Sequence, residues 1–264
     1  IYTMRSQWPD FDTSMQFSKD YCEIKECSDT WNTLEHRYDH IRARPIGNPI
    51  IPKIIHQIWL GGNIPASEAV MTKQIQNKIG DEWEYKLWTE ENIADLTTFK
   101  NIKEFNATPN YGQKSDILRI AILKEFGGVY MDTDFIMEKD LNELLDLDFF
   151  CGVAYDAAPV LFNGLIGSTK DNIIIKDLLD LDVAVSCNVG GVHDSMSLMN
   201  STGPYFLTRK LFKNMYTVQN SCVLPTSFFY PFPNFERCRK IGDDYNNYIQ
   251  PETICCHMWA SKWM

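Results

Sequence analysis

The sequence predicts an α/β domain with a mainly parallel central sheet flanked by helices. Three observations carry that expectation. Short apolar runs end at glycine or acidic residues. Helical stretches separate those runs in regular alternation. One of the helices, over residues 114–126, is apolar on most of its faces, as a helix buried against a sheet must be.

The elements follow in chain order. Residues 1–48 read as a helical appendage, with Trp31, Leu34, Tyr38 and Ile41 at helical spacing. The main domain then spans residues 49–264, its start marked by the helix-breaking Pro45-Ile-Gly-Asn-Pro-Ile-Ile-Pro52. Ile54 to Leu60 is an apolar run ended by Gly61-Gly62, a buried strand and its loop. Residues 67–79 read as a helix, Glu84–Trp88 alternates like a strand, and Thr89 caps a short helix from Glu90. After the buried helix, Gly127-Gly128 supplies a left-handed cap, and Val129–Met131 is a buried strand that runs into Asp132-Thr133-Asp134. Residues 149–154 and 160–166 read as strands, 171–180 as a helix, and Gly203-Pro204 opens a further helix to about Met215.

Two carboxylates two residues apart at the exit of an apolar strand call for compensation, because uncompensated ionised groups at the edge of a core are costly. A divalent cation supplies it. Hard oxygen ligands suit Mg²⁺ or Mn²⁺, ions that share their coordination with substrate phosphates. The competing reading of Asp132 and Asp134 is an acidic turn that caps nearby backbone. On the preceding helix, Asp116 and Arg119 lie three apart on one face. They read either as a surface ion pair or as contacts to sugar hydroxyls and phosphate, for which the arginine offers fixed donors.

The motifs Ser115-Asp-Ile-Leu-Arg119 and Phe126-Gly-Gly-Val-Tyr-Met-Asp-Thr-Asp134 resemble the signature of the DXD-type sugar transferases. That group includes yeast mannosyltransferases, α1,4-glycosyltransferases and the clostridial glucosylating toxins. Ile51-Pro-Lys-Ile-Ile-His-Gln-Ile-Trp-Leu-Gly-Gly62 is similar to its first strand, so the resemblance covers about residues 51–138 well and later segments more loosely. It implies a GT-A type, Rossmann-like single domain and a retaining hexosyltransferase. The donor would be a nucleotide sugar, a UDP-sugar in preference to GDP-mannose, with Mn²⁺, or Mg²⁺ in its place, stabilising the departing nucleoside diphosphate. The acceptor would be a glycan, glycoprotein or protein.

Residue by residue, the resemblance places Trp59 against the nucleobase, with Ile55, His56 and Gln57 lining the same pocket. Asp116 and Arg119 would hold the donor sugar and its diphosphate. Asp134 would ligate the metal, and Asp132 would touch the ribose or sugar and reach the metal. Asn163 would stand near the reacting sugar, and His257 would be a third metal ligand. Ser261 and Trp263 would reach the diphosphate from a closing lid, and Ser201-Thr-Gly-Pro204 would lie near the acceptor. Each has a plainer alternative. Trp59 suits a core, Asn163-Gly164 suits a turn, and His257 suits a packed, hydrogen-bonded position. The aromatic stretch Phe228–Phe235 suits gap filling better than sugar stacking.

Composition excludes other classes. The chain has 264 residues, 44% hydrophobic and 23% charged, ordinary for a globular domain. Its net charge of −10 argues against a nucleic-acid partner. No apolar run is long enough to cross a membrane. The 8 cysteines form no C-x-x-C pair, and Asn106 and Asn200 head glycosylation sequons, which favours a Golgi or secretory lumen while leaving the cytoplasm open. Two rivals remain: a phosphatase of the haloacid dehalogenase type, in which Asp116 and Arg119 have no role, and a catalytically degenerate sugar-binding protein.

Overall fold

A computed structural model describes residues 5, 7–15, 28–156, 158–181, 195–214, 217, 219–234 and 245–260. The central sheet has six strands in the order β2-β1-β3-β6-β5-β7. They are β1 (Ile54–Ile58), β2 (Glu84–Trp88), β3 (Gly128–Met131), β5 (Phe149–Asp156), β6 (Ala158–Ser168) and β7 (Ser221–Leu224). Neighbours β1–β2, β1–β3 and β5–β7 are parallel, and β6 alone runs against the others. The expected α/β architecture with a mainly parallel sheet is therefore the one observed.

The strands are buried because helices cover them. Helix α3 (Ala66–Ile79) links β1 to β2; α4 (Ile102–Ala107) and α5 (Tyr111–Phe126) lead from β2 to β3 on the other side of β1. The strand order thus reverses at β1, and the carboxyl ends of β1 and β3 open a crevice of the kind in which α/β sheets bind ligands. Trp59 and Asp132 follow those two strand ends directly.

Helix α5 begins at Tyr111, earlier than the sequence suggests, because the Asn110 side chain caps it through the Gln113 N–H at 2.9 Å. Its apolar residues Ile117, Leu118 and Ile120 to Leu123 are buried. Gly127 and Gly128 then take φ values of +66° and +91°. A Cβ on Gly128 would lie 2.7 Å from the Ile54 carbonyl oxygen, so strand β3 approaches β1 this closely only with glycine there.

The further helices and strands among the described residues are α1 (Phe11–Ser14), α2 (Ser28–Arg42), β4 (Phe135–Met137), α6 (Ile173–Leu178), α7 (Ser195–Ser201), α8 (Pro204–Asn214), α9 (Thr226–Phe229) and β8 (Cys255–His257). Strands β4 and β8 pair antiparallel in a small second sheet. The N-terminal segment packs on the main domain. Leu34, Tyr38 and Ile41 of α2 are buried, as are Trp8 and Phe11; the side chain of Trp31 is outside the described set. Trp8 stacks on Tyr38 at 5.7 Å and meets Phe228 edge-on at 5.0 Å.

Two local expectations change. The helix expected from Glu90 is a turn, followed by a short 3₁₀ segment at Ile93–Asp95. Asn163-Gly164 is no turn but lies within β6, and the hairpin reverses between Asp156 and Ala158 instead. Among the described residues, no helix is long and apolar enough to cross a membrane.

Candidate active site

Strand β3 delivers Asp132 to the crevice, and three backbone or side-chain contacts fix it there. Its N–H donates to the Gly164 carbonyl at 2.8 Å, and its own carbonyl accepts from Gln57 Nε2 at 3.0 Å. The Tyr130 hydroxyl, two residues earlier on the same strand face, donates to Asp132 Oδ1 at 2.5 Å. Burial pushes the Tyr130 phenol well above its ordinary pKa, so it keeps the proton it donates.

Pairing of β4 with β8 sets Phe135 opposite His257 and so brings the imidazole beside Asp134. His257 Nε2 lies 3.1 Å from Asp134 Oδ1 and 3.8 Å from Asp132 Oδ2. The N–H of Met258 donates to the Asp134 carbonyl at 2.9 Å, and that of Ala260 to Asp134 Oδ2 at 2.8 Å. Trp259 adopts a left-handed φ of +54° between them. Its ring packs edge-on against His257 at 4.3 Å while its indole N–H donates to the Phe232 carbonyl. Ligand atoms of Asp132, Asp134 and His257 lie within 4.8 Å of one another. Two carboxylate oxygens and one imidazole nitrogen form a donor set that suits Mn²⁺ or Mg²⁺. The buried Nδ1 of His257 has no partner among the described residues, which leaves the ring's orientation to its aromatic neighbours and to whatever Nε2 binds.

Beside this cluster lies a second network. Asp116 Oδ1 accepts from Asn163 Nδ2 at 2.8 Å and pairs with the Arg119 guanidinium at 3.0 Å. Asp116 Oδ2 accepts from the Thr202 hydroxyl at 3.0 Å. Arg119 also donates to the carbonyls of Ser115 and Asn163, sits over the Tyr130 ring and lies 3.5 Å from Asp132 Oδ1. Arg119 therefore bridges Asp116 and Asp132, and it is buried rather than at the surface.

The charges respond to this crowding. Burial pushes Asp116 up to about 6, against the opposing pull of Arg119 and the Thr202 and Asn163 hydrogen bonds. Burial also raises Asp132, with Arg119 working against it. For Asp134, burial acts upward, but the charge and hydrogen bond of His257 outweigh it and hold the carboxyl below its usual range. His257 shows the converse: burial acts downward, yet Asp134 holds the imidazole above its usual range.

Comparison with known proteins places this geometry. The family model described as a glycosyltransferase sugar-binding region containing a DXD motif matches residues 65–150, which include Asp116, Arg119, Asp132 and Asp134. An uncharacterized glycosyltransferase of Acanthamoeba polyphaga mimivirus is 33% identical over 234 residues, 81% of this chain and 84% of that protein. The chain belongs to the DXD-motif glycosyltransferases. Inositol phosphoceramide mannosyltransferase 1 of Schizosaccharomyces pombe is 27% identical over 202 residues, 74% of this chain but 62% of the yeast protein, so less than two thirds of that relative is spanned. Among solved structures, the PaToxG glycosyltransferase superposes with a TM-score of 0.49 at 19% identity, covering 77% of this chain and 80% of its own. Membership of that family, carried by the mimivirus relative, sets aside a phosphatase of the haloacid dehalogenase type.

Within this DXD glycosyltransferase, most of the residues singled out from sequence converge. Asp116, Arg119, Asp132, Asp134, Asn163 and His257 form the two linked networks just described. Gln57 joins them through Asp132 and is itself held by the Tyr85 hydroxyl at 2.7 Å. Trp59 is half-buried at the end of β1, and its indole N–H is buried without a partner among the described residues. Ile55 and His56 are a correction. Neither has exposed surface, and nor does Gln57, whose amide is held by the Asp132 carbonyl and the Tyr85 hydroxyl, so none of the three lines an open nucleobase pocket. His56 projects to the opposite face of β1 from Gln57, as strand alternation requires. There its Nε2 bonds the Gly127 carbonyl at 3.0 Å, and its Nδ1 accepts from Trp88 Nε1 at 3.2 Å. Burial pushes its pKa down to about 4, so it is a neutral core residue with neither nitrogen left for a nucleobase. Ser261 and Trp263 lie outside the described residues.

Sequence reasoning passed over Tyr130 and Thr202. Tyr130 had a usable signal: it stands two positions before Asp132 on a strand, hence on the same face. Thr202 had only its place in Ser201-Thr-Gly-Pro204. In the aromatic stretch, Phe228, Phe229, Tyr230 and Phe232 are buried, which is gap filling rather than an exposed stacking platform.

Proposed function

We propose that this chain is a retaining, metal-dependent hexosyltransferase that moves a sugar from a nucleotide-sugar donor to a glycan-type acceptor. The observation that carries the reading is the convergence of Asp132, Asp134 and His257 beside the Asp116–Arg119–Asn163 network. A lone carboxylate triplet would not need a buried arginine and a second, half-buried acid at its side.

In this reading Asp134 and His257 hold the metal with Asp132, and Tyr130 and Gln57 keep Asp132 in place. When bound, the ion supplies Lewis-acid stabilisation of the leaving diphosphate. Arg119 adds a fixed positive charge at the same edge, where charge builds as the glycosidic bond to phosphate breaks. Asp116 and Asn163 take the sugar hydroxyls. Trp59 offers its ring to the nucleobase and its free indole N–H to a polar atom of donor or loop. Retention of anomeric configuration rests on the family resemblance.

The donor we favour is a UDP-sugar. The name of the fission-yeast relative adds mannose to the sugars to test, hence GDP-mannose, and inositol phosphoceramide to the acceptors beside glycans and proteins. A secretory-lumen location, suggested by the two sequons, is part of the same proposal. The test is release of nucleoside diphosphate from a panel of UDP- and GDP-sugars with Mn²⁺. One donor is expected to be hydrolysed slowly without acceptor. Absence of both release and binding across the panel would sink the enzyme reading in favour of a degenerate sugar-binding protein. Asp134→Asn is expected to abolish metal-dependent release with the fold intact, and His257→Ala to weaken Mn²⁺ at least about tenfold. Unchanged Mn²⁺ affinity in the second variant would make His257 a packing residue.

A further inference from the structure

Helices α7 and α8 meet at Thr202-Gly203. The N–H groups of both residues donate to the Leu198 carbonyl, each at 3.1 Å, which turns the chain sharply out of α7. Gly203 permits this, since a Cβ there would lie 2.9 Å from the Met199 Cα. The turn is pinned to α5: Gln113 Nε2 donates to Ser201 Oγ at 3.2 Å, and Ser201 Oγ donates to the Leu198 carbonyl. Gln113, Ser201 and Thr202 are 3%, 1% and 6% exposed, so a polar joint is buried against the active site. Its outcome is a hydroxyl held 3.0 Å from Asp116 Oδ2.

An ionised carboxylate offers about four acceptor positions. In Asp116, Arg119 and Asn163 occupy both positions of Oδ1, and Thr202 occupies one of Oδ2. Among the described residues, no group fills the remaining position, on Oδ2. We propose that Thr202 is a positioning residue of the donor-sugar subsite: its hydroxyl fixes the Asp116 carboxylate and leaves a single open acceptor position, so that Asp116 reads one hydroxyl of the donor sugar. This rests on the reading of Asp116 as a sugar contact. Its chemistry is selective for the sugar half of the donor. The nucleoside diphosphate gains nothing from Asp116, which carries the wrong charge for phosphate.

The test is calorimetric titration, in Mn²⁺, of UDP, UDP-galactose, GDP and GDP-mannose into the wild-type chain, Thr202→Val, Thr202→Ser and Asp116→Asn. Valine keeps the shape of threonine and removes only the hydroxyl. It is expected to weaken the bound nucleotide sugar about tenfold, equivalent to about 1.4 kcal/mol, and to leave the matching nucleoside diphosphate within about twofold. Serine restores the hydroxyl and is expected to restore the affinity for the nucleotide sugar. Asp116→Asn is expected to lose at least as much, again on the sugar alone. Suppose Asp116→Asn shows that selective loss while Thr202→Val weakens both ligands equally, or neither. Thr202 is then an ordinary packing residue, and the role of Asp116 stands. No selective loss in Asp116→Asn, or no binding of any of the four by the wild-type chain, overturns the sugar reading and this proposal together.

Discussion

Asp116 is held in a state that costs stability, and the direction of that cost follows from its burial. Its folded pKa of about 6 lies above the usual 3.8. A carboxyl raised in this way favours folding below the unfolded value and loses that contribution as pH rises through about 6. At neutral pH the ionised group therefore strains the fold by up to about 3 kcal/mol, from about two pKa units at 1.36 each. Its neighbours suit the ionised form, because Arg119, Asn163 and Thr202 all donate to it. Sugar recognition should then fail as Asp116 takes up a proton. The expected outcome is that affinity for the nucleotide sugar, divided by affinity for the matching nucleoside diphosphate, falls as pH drops through about 6. Taking the ratio cancels the protonation of the metal ligands, which affects both ligands alike. A ratio that is flat from about pH 5 to about pH 8 would show that Asp116 is not the group that reads the sugar.

At the scale of elements, the junction of α5 and β3 decides how closely β1 and β3 approach. Gly128→Ala puts a methyl 2.7 Å from the Ile54 carbonyl oxygen at a φ of +91°. Both the backbone conformation and the collision act against it, and urea unfolding should show a loss of about 3 kcal/mol or more. Gly80 has a φ of +77° with nothing within 4 Å of a would-be Cβ. Gly80→Ala should cost less, about 1 to 2 kcal/mol, the conformational part alone. Equal losses in the two variants would mean that φ, not space, sets the requirement. This junction was legible from sequence, since two glycines after a long apolar helix and before an apolar run have few other uses. The strands β1 and β2 and the helix α3 were legible for the same reason: each carries a full period of its pattern. Strands β4 and β8 were not. Each is three residues long, too short for any periodicity, and they pair across a large separation in the chain. His257 was consequently named from family likeness, without a reason for its position. Asn163-Gly164 misleads in the opposite sense. The pair has the look of a hairpin turn, yet Gly164 is needed mid-strand, because a Cβ there would come within 2.8 Å of Asp132 Oδ2. Thr202 was illegible because its role depends on a helix joint that no local pattern encodes.

For the molecule as a whole, the open question is what couples the N-terminal segment to the catalytic sheet. Hydrophobic contact is one part, through Trp8 and Tyr38 against Phe228, with Phe11 packed on Tyr38. The other part is Asp146. Its carboxylate pairs with the buried Arg5, accepts the Gly47 N–H at 2.8 Å and lies 3.6 Å from Arg44. Its carbonyl accepts from Asn220, beside β7. One residue thus ties the N-terminus, the segment before β1 and the far edge of the sheet. Asp146→Ala leaves Arg5 charged and buried without its partner, which should cost about 3 to 5 kcal/mol. Replacing both partners with apolar residues, as in Arg5→Met with Asp146→Leu, should recover much of that loss, because the penalty comes from the stranded charge rather than from the missing attraction. Denaturant midpoints of the single and double variants measure the difference. Asp146 makes none of the hydrogen bonds of the active site, so Mn²⁺ and nucleotide affinity in the folded protein should stay at the wild-type value. A single variant as stable as wild type would show that the aromatic contacts alone hold the segment in place. A double variant no better than the single would show that the Gly47 and Arg44 contacts carry the tie instead.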